Sequence, residues 1–129
     1  MTRYNYSSGA PWEEIVGYSR AVKVGNTIEV TGTVALNENN QVVGVNDPYQ
    51  QTKFILEKIA AVLEQAGATM KDVVRTRLFV TDISKWEEYG RAHGEVFANI
   101  RPCTTMVEIN ALISPEYLIE IEATAILIH

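Results

Sequence analysis

The residues able to hold charge, move a proton or attack a carbon fall mostly in a few β-rich runs of the sequence. Ile119-Glu120-Ile121-Glu122-Ala123 alternates apolar and acidic residues, so a strand there sends Glu120 and Glu122 to one face. Residues 73–80, Val-Val-Arg-Thr-Arg-Leu-Phe-Val, would do the same with Arg75 and Arg77, and residues 27–33 with Glu29, Thr31 and Thr33. Carboxylates and guanidinium groups on one sheet face suit two purposes. One is a set of solvated cross-strand ion pairs, each worth at most ~1 kcal/mol. The other is a subunit interface with paired polar groups. Because Val73, Phe79 and Met106 are expected on the same face, its mixed character favours the interface.

The remaining candidates are sparser. Cys103 is the single cysteine. It would act as a nucleophile beside a base, but as a lone thiol it reads as a small buried hydrophobe. His93, on a predicted helix, reads as a helix-surface or interface residue, and Arg101 as a solvated arginine before Pro102. His129 is expected to be unordered at the terminus. One cysteine and two histidines give neither an internal disulfide framework nor a Cys/His zinc site, so no metal or cofactor is expected.

The elements that position these residues alternate along the chain. Runs at 20–24 and 27–33 flank Gly25-Asn26, a hairpin signal. Gln41-Val42-Val43-Gly44 suggests a short edge strand. Asp47-Pro48 reads as an N-cap followed by proline at the first helical position, and Gly67 as the C′ residue of that helix. Ile55, Ile59, Val62, Leu63 and Ala66 lie between them at helical spacing. A second helix is predicted from Ser84, in a capping box with Glu87, to about Ala98, burying Trp86, Tyr89, Val96 and Phe97. Strands near 103–109 and 117–127 close the chain. The sum is an α+β sandwich: about six mostly antiparallel strands with two helices on one face.

Length and composition bound the rest. At 129 residues, 1–129 is expected to be one domain with a real core, and 47% hydrophobic residues suit a globular chain. Eleven Lys+Arg against sixteen Asp+Glu, a net charge of −5, argue against a nucleic-acid or anionic-membrane partner, because phosphates need a basic footprint. No apolar run approaches the ~20 residues of a membrane span. Met-Thr-Arg-Tyr-Asn-Tyr-Ser-Ser lacks the apolar core of a signal peptide. The expectation is a soluble cytoplasmic protein.

Several segments resemble the RidA/YjgF family of reactive-intermediate deaminases. They are Gly17-Tyr18-Ser19, Ala21 to Asn26, Val30-Thr31-Gly32-Thr33, the helix from Gln51 to Gly67, Lys71 to Val74 and Phe79 to Asp82. The resemblance closes with Arg101-Pro102-Cys103-Thr104-Thr105-Met106-Val107-Glu108-Ile109 and Ile119 to Ala123, covering nearly all of the chain from about residue 15. It implies the chorismate-mutase-like sandwich and a homotrimer, a trimeric barrel with sites in clefts between subunits. It also implies hydrolysis of 2-imino acids and their enamine tautomers to keto acids and ammonia.

Carried over by motif, the resemblance makes Glu120 the water-holding carboxylate, Tyr18 the tyrosine lining the cleft and Thr31 a hydroxyl where many members have serine. The penultimate strand departs from the pattern. Thr104 stands where archetypal deaminases have a carboxylate-gripping arginine, and Met106 where many have cysteine. A bidentate arginine–carboxylate pair is geometry-specific, and threonine cannot imitate it. Arg101, Arg75 or Arg77 would have to compensate. The hydroxyls of Thr104 and Thr105, beside Cys103, suit a neutral ligand, while backbone amides over 103–106 could take an anion. Three functions stay open: an imine or enamine hydrolase, a non-catalytic trimer binding a small metabolite, and an endoribonuclease, the last disfavoured by the acidic balance.

Overall fold

The computed structural model describes residues 1–128; His129 lies outside the described residues. Its strands are β1 (Arg3–Tyr6), β2 (Ala21–Val24), β3 (Thr27–Thr33), β4 (Val73–Val80), β5 (Cys103–Glu108) and β6 (Ile119–Ile126). Its α-helices are α1 (Pro11–Val16), α2 (Pro48–Gln65) and α3 (Trp86–Phe97). The strands form one sheet in the order β1-β2-β3-β6-β4-β5. Among the described residues only β4 and β5 run parallel, joined through α3; the other pairs are antiparallel.

The expected α+β sandwich of six mostly antiparallel strands is present, with a different sixth strand. Residues 41–44 make only an isolated bridge, Leu36 to Val42. The edge is instead β1, pairing Arg3 to Tyr6 with Val24 to Ala21. Its sequence, Arg-Tyr-Asn-Tyr, lacks an apolar alternation that would have marked it.

The longer helix forms as its end signals dictate. Asp47 Oδ1 accepts from Gln50 N at 3.0 Å, Pro48 opens the first turn, and Gly67 at φ 87° supplies the left-handed residue after the last turn. Ile55, Leu56, Ile59 and Leu63 are at most 1% exposed, and each such burial stabilises by roughly 1.5–3 kcal/mol. They meet Ile28 and Val30 of β3 and Ile119, Ile121, Ala123 and Ala125 of β6 in one core.

The start of α3 differs from expectation. Asp82, not Ser84, is the cap: Oδ1 accepts from Ser84 N at 3.0 Å and from Ser84 Oγ, and a 3₁₀ turn at Ile83–Lys85 comes before the helix. That extra turn sets the helix phase so that Tyr89 and Phe97 are buried and Val96 is partly so. Trp86, expected inside, is 56% exposed.

Two bulges decide which residues leave the core. On β3, Val30 pairs with Ala123 and Thr33 with Ile121, so β3 carries one extra residue. Thr31 and Gly32 therefore sit outside the core and Thr33 returns to it, 1% exposed, contrary to strict alternation. On β4 the shift falls between Val73 and Arg75. Val73 is consequently core rather than open-face. Met106, opposite Leu78 in register, also packs against the core, so only Phe79 of the three expected apolar residues remains on the open face.

Candidate active site

The sheet face away from α2 and α3 brings together residues from three strands. Glu120 of β6 is paired in register with Phe79 of β4. Its carboxylate occupies the space beside Gly32, where a β-carbon would overlap Oε1. The bulge turns Gly32 toward this face, and the absent side chain leaves room for the carboxylate. Burial is the largest influence on Glu120 and raises its pKa; Glu122 raises it further, and Arg20 opposes both. The proton affinity is thus higher than that of an ordinary glutamate.

The two neighbouring acids differ in their partners. Glu122 Oε1 lies 3.7 Å from Arg77 Nη1, an exposed pair of small energetic weight. Among the described residues, Glu120 has no ion-pair partner within 4 Å. Arg20, which the motifs did not single out, holds the adjoining bulge. Its Nη2 donates to Gly32 O at 3.0 Å, its Cζ lies 5.8 Å from the Tyr18 ring centroid, and its Nε is buried without a partner.

Tyr18 and Thr31 line a groove of about 770 Å³ with Glu29, Arg77 and Glu122, closed on one side by Glu13 and Glu14 of α1. Tyr18 N donates to Glu13 O of α1 and Thr31 N to Arg20 O just before β2, which ties Tyr18 to α1 and Thr31 to the start of the sheet. Glu13 is itself buried. Desolvation would raise its pKa, but hydrogen bonds from Ser8 and Ser7, with Arg20 nearby, outweigh it and leave the value lowered.

The penultimate strand splits its candidates between faces. Cys103 and Thr105 lie opposite Arg75 and Arg77 in the parallel register, on the open face. Cys103 is exposed rather than buried, because β5 is an edge strand with no neighbour beyond it. Arg75 Nη2 donates to Thr105 Oγ1 at 3.1 Å. It forms no ion pair with Glu120 or Glu122, the partners the alternation suggested.

Thr104 lies opposite the buried Thr76, on the helix side, apart from Glu120. The two hydroxyls are 2.9 Å apart, and Thr76 Oγ1 is 2.9 Å from His93 Nε2. His93 is therefore packed between α3 and β4 against Phe97, not free on the helix surface, and desolvation lowers its pKa. Arg101 is exposed at φ 58° and reaches no candidate residue. Of the sequence candidates, Tyr18 and Thr31 line the groove, Glu120 lies on the same sheet face beside Gly32 but outside the groove lining, and Cys103 and Thr105 sit nearer the edge. Gly32 was legible as a glycine inside a strand, a bulge signal. Arg20 carried no such mark.

No group of three or more His, Cys, Asp and Glu among the described residues is arranged to hold a metal ion. No described helix is long and apolar enough to cross a membrane.

The chain matches the family model described as Endoribonuclease L-PSP over residues 9–127. A Mycobacterium tuberculosis structure, Rv2704, described as a member of the YjgF/YER057c/UK114 family, superposes with a TM-score of 0.89 at 48% identity. That match covers 98% of this chain and 100% of the other. The 3-aminoacrylate deaminase RutC of Acinetobacter baylyi is 36% identical over 84% of this chain and 85% of its own length. An uncharacterized Streptomyces coelicolor protein is 35% identical over 92% and 87% respectively. The six-stranded sheet and its two long helices match the YjgF structures, the chorismate-mutase-like fold. The chain belongs to the RidA/YjgF family, whose family model carries the Endoribonuclease L-PSP description.

Proposed function

We propose that this protein hydrolyses a small reactive imine, or the enamine in equilibrium with it, to a carbonyl compound and ammonia. The observation that carries the reading is Glu120: a desolvated carboxylate with a raised pKa, seated against Gly32 and without an ion-pair partner among the described residues. Such a group can hold a water molecule and take its proton as attack begins. The name of the RutC relative, a 3-aminoacrylate deaminase, supports the reaction class.

The steps balance simply. Water oxygen bonds to the carbon of the protonated C=N, and its proton passes to Glu120. The carbinolamine then collapses: Glu120 returns the proton to nitrogen, the C–N bonding pair leaves with ammonia, an oxygen lone pair forms C=O, and the hydroxyl proton passes to the Glu120 carboxylate. An iminium carbon is already electrophilic, so placement of one water and one proton is most of the task. Tyr18 and Thr31 border the substrate, Tyr18 with its ring and hydroxyl, Thr31 with its hydroxyl. Cys103 and Thr105 on the open face of β5, and Arg101 before it, border the far edge of the site, which a second copy in a homotrimer completes; Thr104, on the helix side, stays outside it.

A substrate carboxylate, where there is one, is not reached by Arg75 of the same chain: Arg75 pairs in register with Thr124 and Glu120 with Phe79, about 13 Å apart along the strands, and Arg77 already faces Glu122. No metal or cofactor takes part in this reading.

The test couples an amino-acid oxidase, which makes 2-imino acids, to semicarbazide, which traps what is not hydrolysed. Wild type should compete with the trap and Glu120→Ala should not. If wild type matches buffer across imines with and without a carboxylate, the hydrolase reading fails and a metabolite-binding trimer takes its place. Sedimentation as a stable monomer would remove the intersubunit site.

A further inference from the structure

A second pocket, of about 580 Å³, lies on the helix side of the sheet, bounded by α2, the loop after β3 and the residues between β1 and α1. Phe54, Ala61, Val62 and Leu36 give it an apolar wall, while Lys58, Arg20, Asn37 and Asn39 bring N–H donors. It does not include Glu120, Tyr18 or Thr31. Lys58 is the unusual member. Its Nζ donates to Leu36 O at 2.8 Å and to Val34 O at 3.1 Å, and lies 6.0 Å from the Phe54 ring centroid.

We propose that Lys58 is a carbonyl-reactive amine, and that this pocket takes a small 2-oxo acid as a reversible imine on Nζ. The two backbone carbonyls fix the nitrogen. In the neutral amine they use both N–H bonds, which leaves the lone pair directed away from the backbone. The charges around it favour that neutral form. Arg20 is a like charge, Glu38 on the rim forms no ion pair with Lys58, and Glu13 is committed to Ser7 and Ser8. Burial, and secondarily Arg20, bring the Lys58 pKa down to about 8. Arg20 also supplies a guanidinium to the pocket lining, a partner for the carboxylate of an oxo acid. The apolar wall suits a short side chain.

The covalent step needs no external oxidant or reductant. The Nζ lone pair bonds to the carbonyl carbon, the C=O pair moves to oxygen, and that oxygen departs as water with the two amine hydrogens. The product is an imine, reversed by the same water.

The other four lysines serve as internal controls: Lys23, Lys53, Lys71 and Lys85. Protein at about pH 7.5 would be incubated with glyoxylate and reduced with borohydride, and the modified lysines mapped by peptide mass spectrometry. Lys58 should be labelled faster than each control by on the order of tenfold or more, following its larger neutral fraction. Even labelling over all five lysines, or labelling that spares Lys58, overturns the proposal. Lys58→Arg keeps donors for both carbonyls, so it should fold and lose the label at that position alone. Acetaldehyde, which lacks the carboxylate, should label Lys58 several-fold more slowly; equal rates overturn the oxo-acid assignment. The readout does not depend on imine hydrolysis, so its failure and that of the deaminase reading are separable.

Discussion

The carboxylate of Glu120 lies in the space that a side chain on Gly32 would occupy. A bulge in β3 creates that space, and β6 fills it with Glu120, whose pKa is raised by burial. The proposed catalytic group and the backbone of a neighbouring strand are therefore a single spatial unit.

Gly32→Ala tests that unit. The nearest atoms the new methyl group meets all belong to the flexible Glu120 side chain, from its carboxylate back to Cγ, so Glu120 swings away and the strand stays. Imine hydrolysis should fall by the ~10²–10⁴-fold that a positioned acid–base group contributes. The melting temperature should change little. Unchanged turnover would show that the contact does not position Glu120.

Glu120→Gln should abolish turnover without destabilising the protein. A raised folded-state pKa means that the neutral carboxyl costs nothing below the unfolded value of 4.5, and that stability is lost as pH rises from there through the folded value. The variant's melting temperature should thus gain on wild type between pH 4 and pH 7. The pH profile of kcat/KM should show its rising limb above the ordinary glutamate value of 4.5. A variant equally less stable at both pH values would contradict this account.

Glu13 has the opposite sign. Ser7 Oγ donates to it at 2.9 Å, and Ser8 donates from both backbone and hydroxyl. Its lowered pKa contributes stability that is present above 4.5 and lost as pH falls through the folded value. Glu13→Ala should cost about 1–3 kcal/mol at pH 7, measured by urea denaturation, and less in acid. Hydrogen exchange over residues 1–16 should speed up with it.

Thr76 joins His93 to Thr104 through its hydroxyl. Thr76→Val keeps the shape and removes both bonds, so a loss of about 1–3 kcal/mol is expected from the buried partner left unpaired. Thr76→Ser should restore most of it. In the wild type, NMR titration should place the His93 pKa below 6.5, as burial dictates.

Much of the frame was already legible in local chemistry. Asp47-Pro48 and Gly67 announced the ends of α2 because capping acts over a few residues. The clean alternation of 119–127 fixed which side of β6 carries Glu120 and Glu122, since a strand's side chains have a period of two. Trp86 and Ser84 misled because a 3₁₀ turn capped by Asp82 came first and rotated the helix that follows. Residues 3–6 gave no sign of a strand because their pairing with β2 is a tertiary event, as context-dependent as β structure generally is.

By itself, then, the amino-acid sequence determined the order of the main elements from β2 onward, apart from the strand expected at 41–44, together with the core face of the long helix and the position of the glutamate pair. Each depends on neighbours within a turn or a strand. Only the tertiary structure decided that Gly32 yields its space to Glu120, and that Arg77 takes Glu122 while Arg75 takes Thr105. It also decided that Thr104 turns toward His93 instead of the open face. Those outcomes depend on strand register and on two bulges, and a one-residue shift in register exchanges the faces of every residue beyond it.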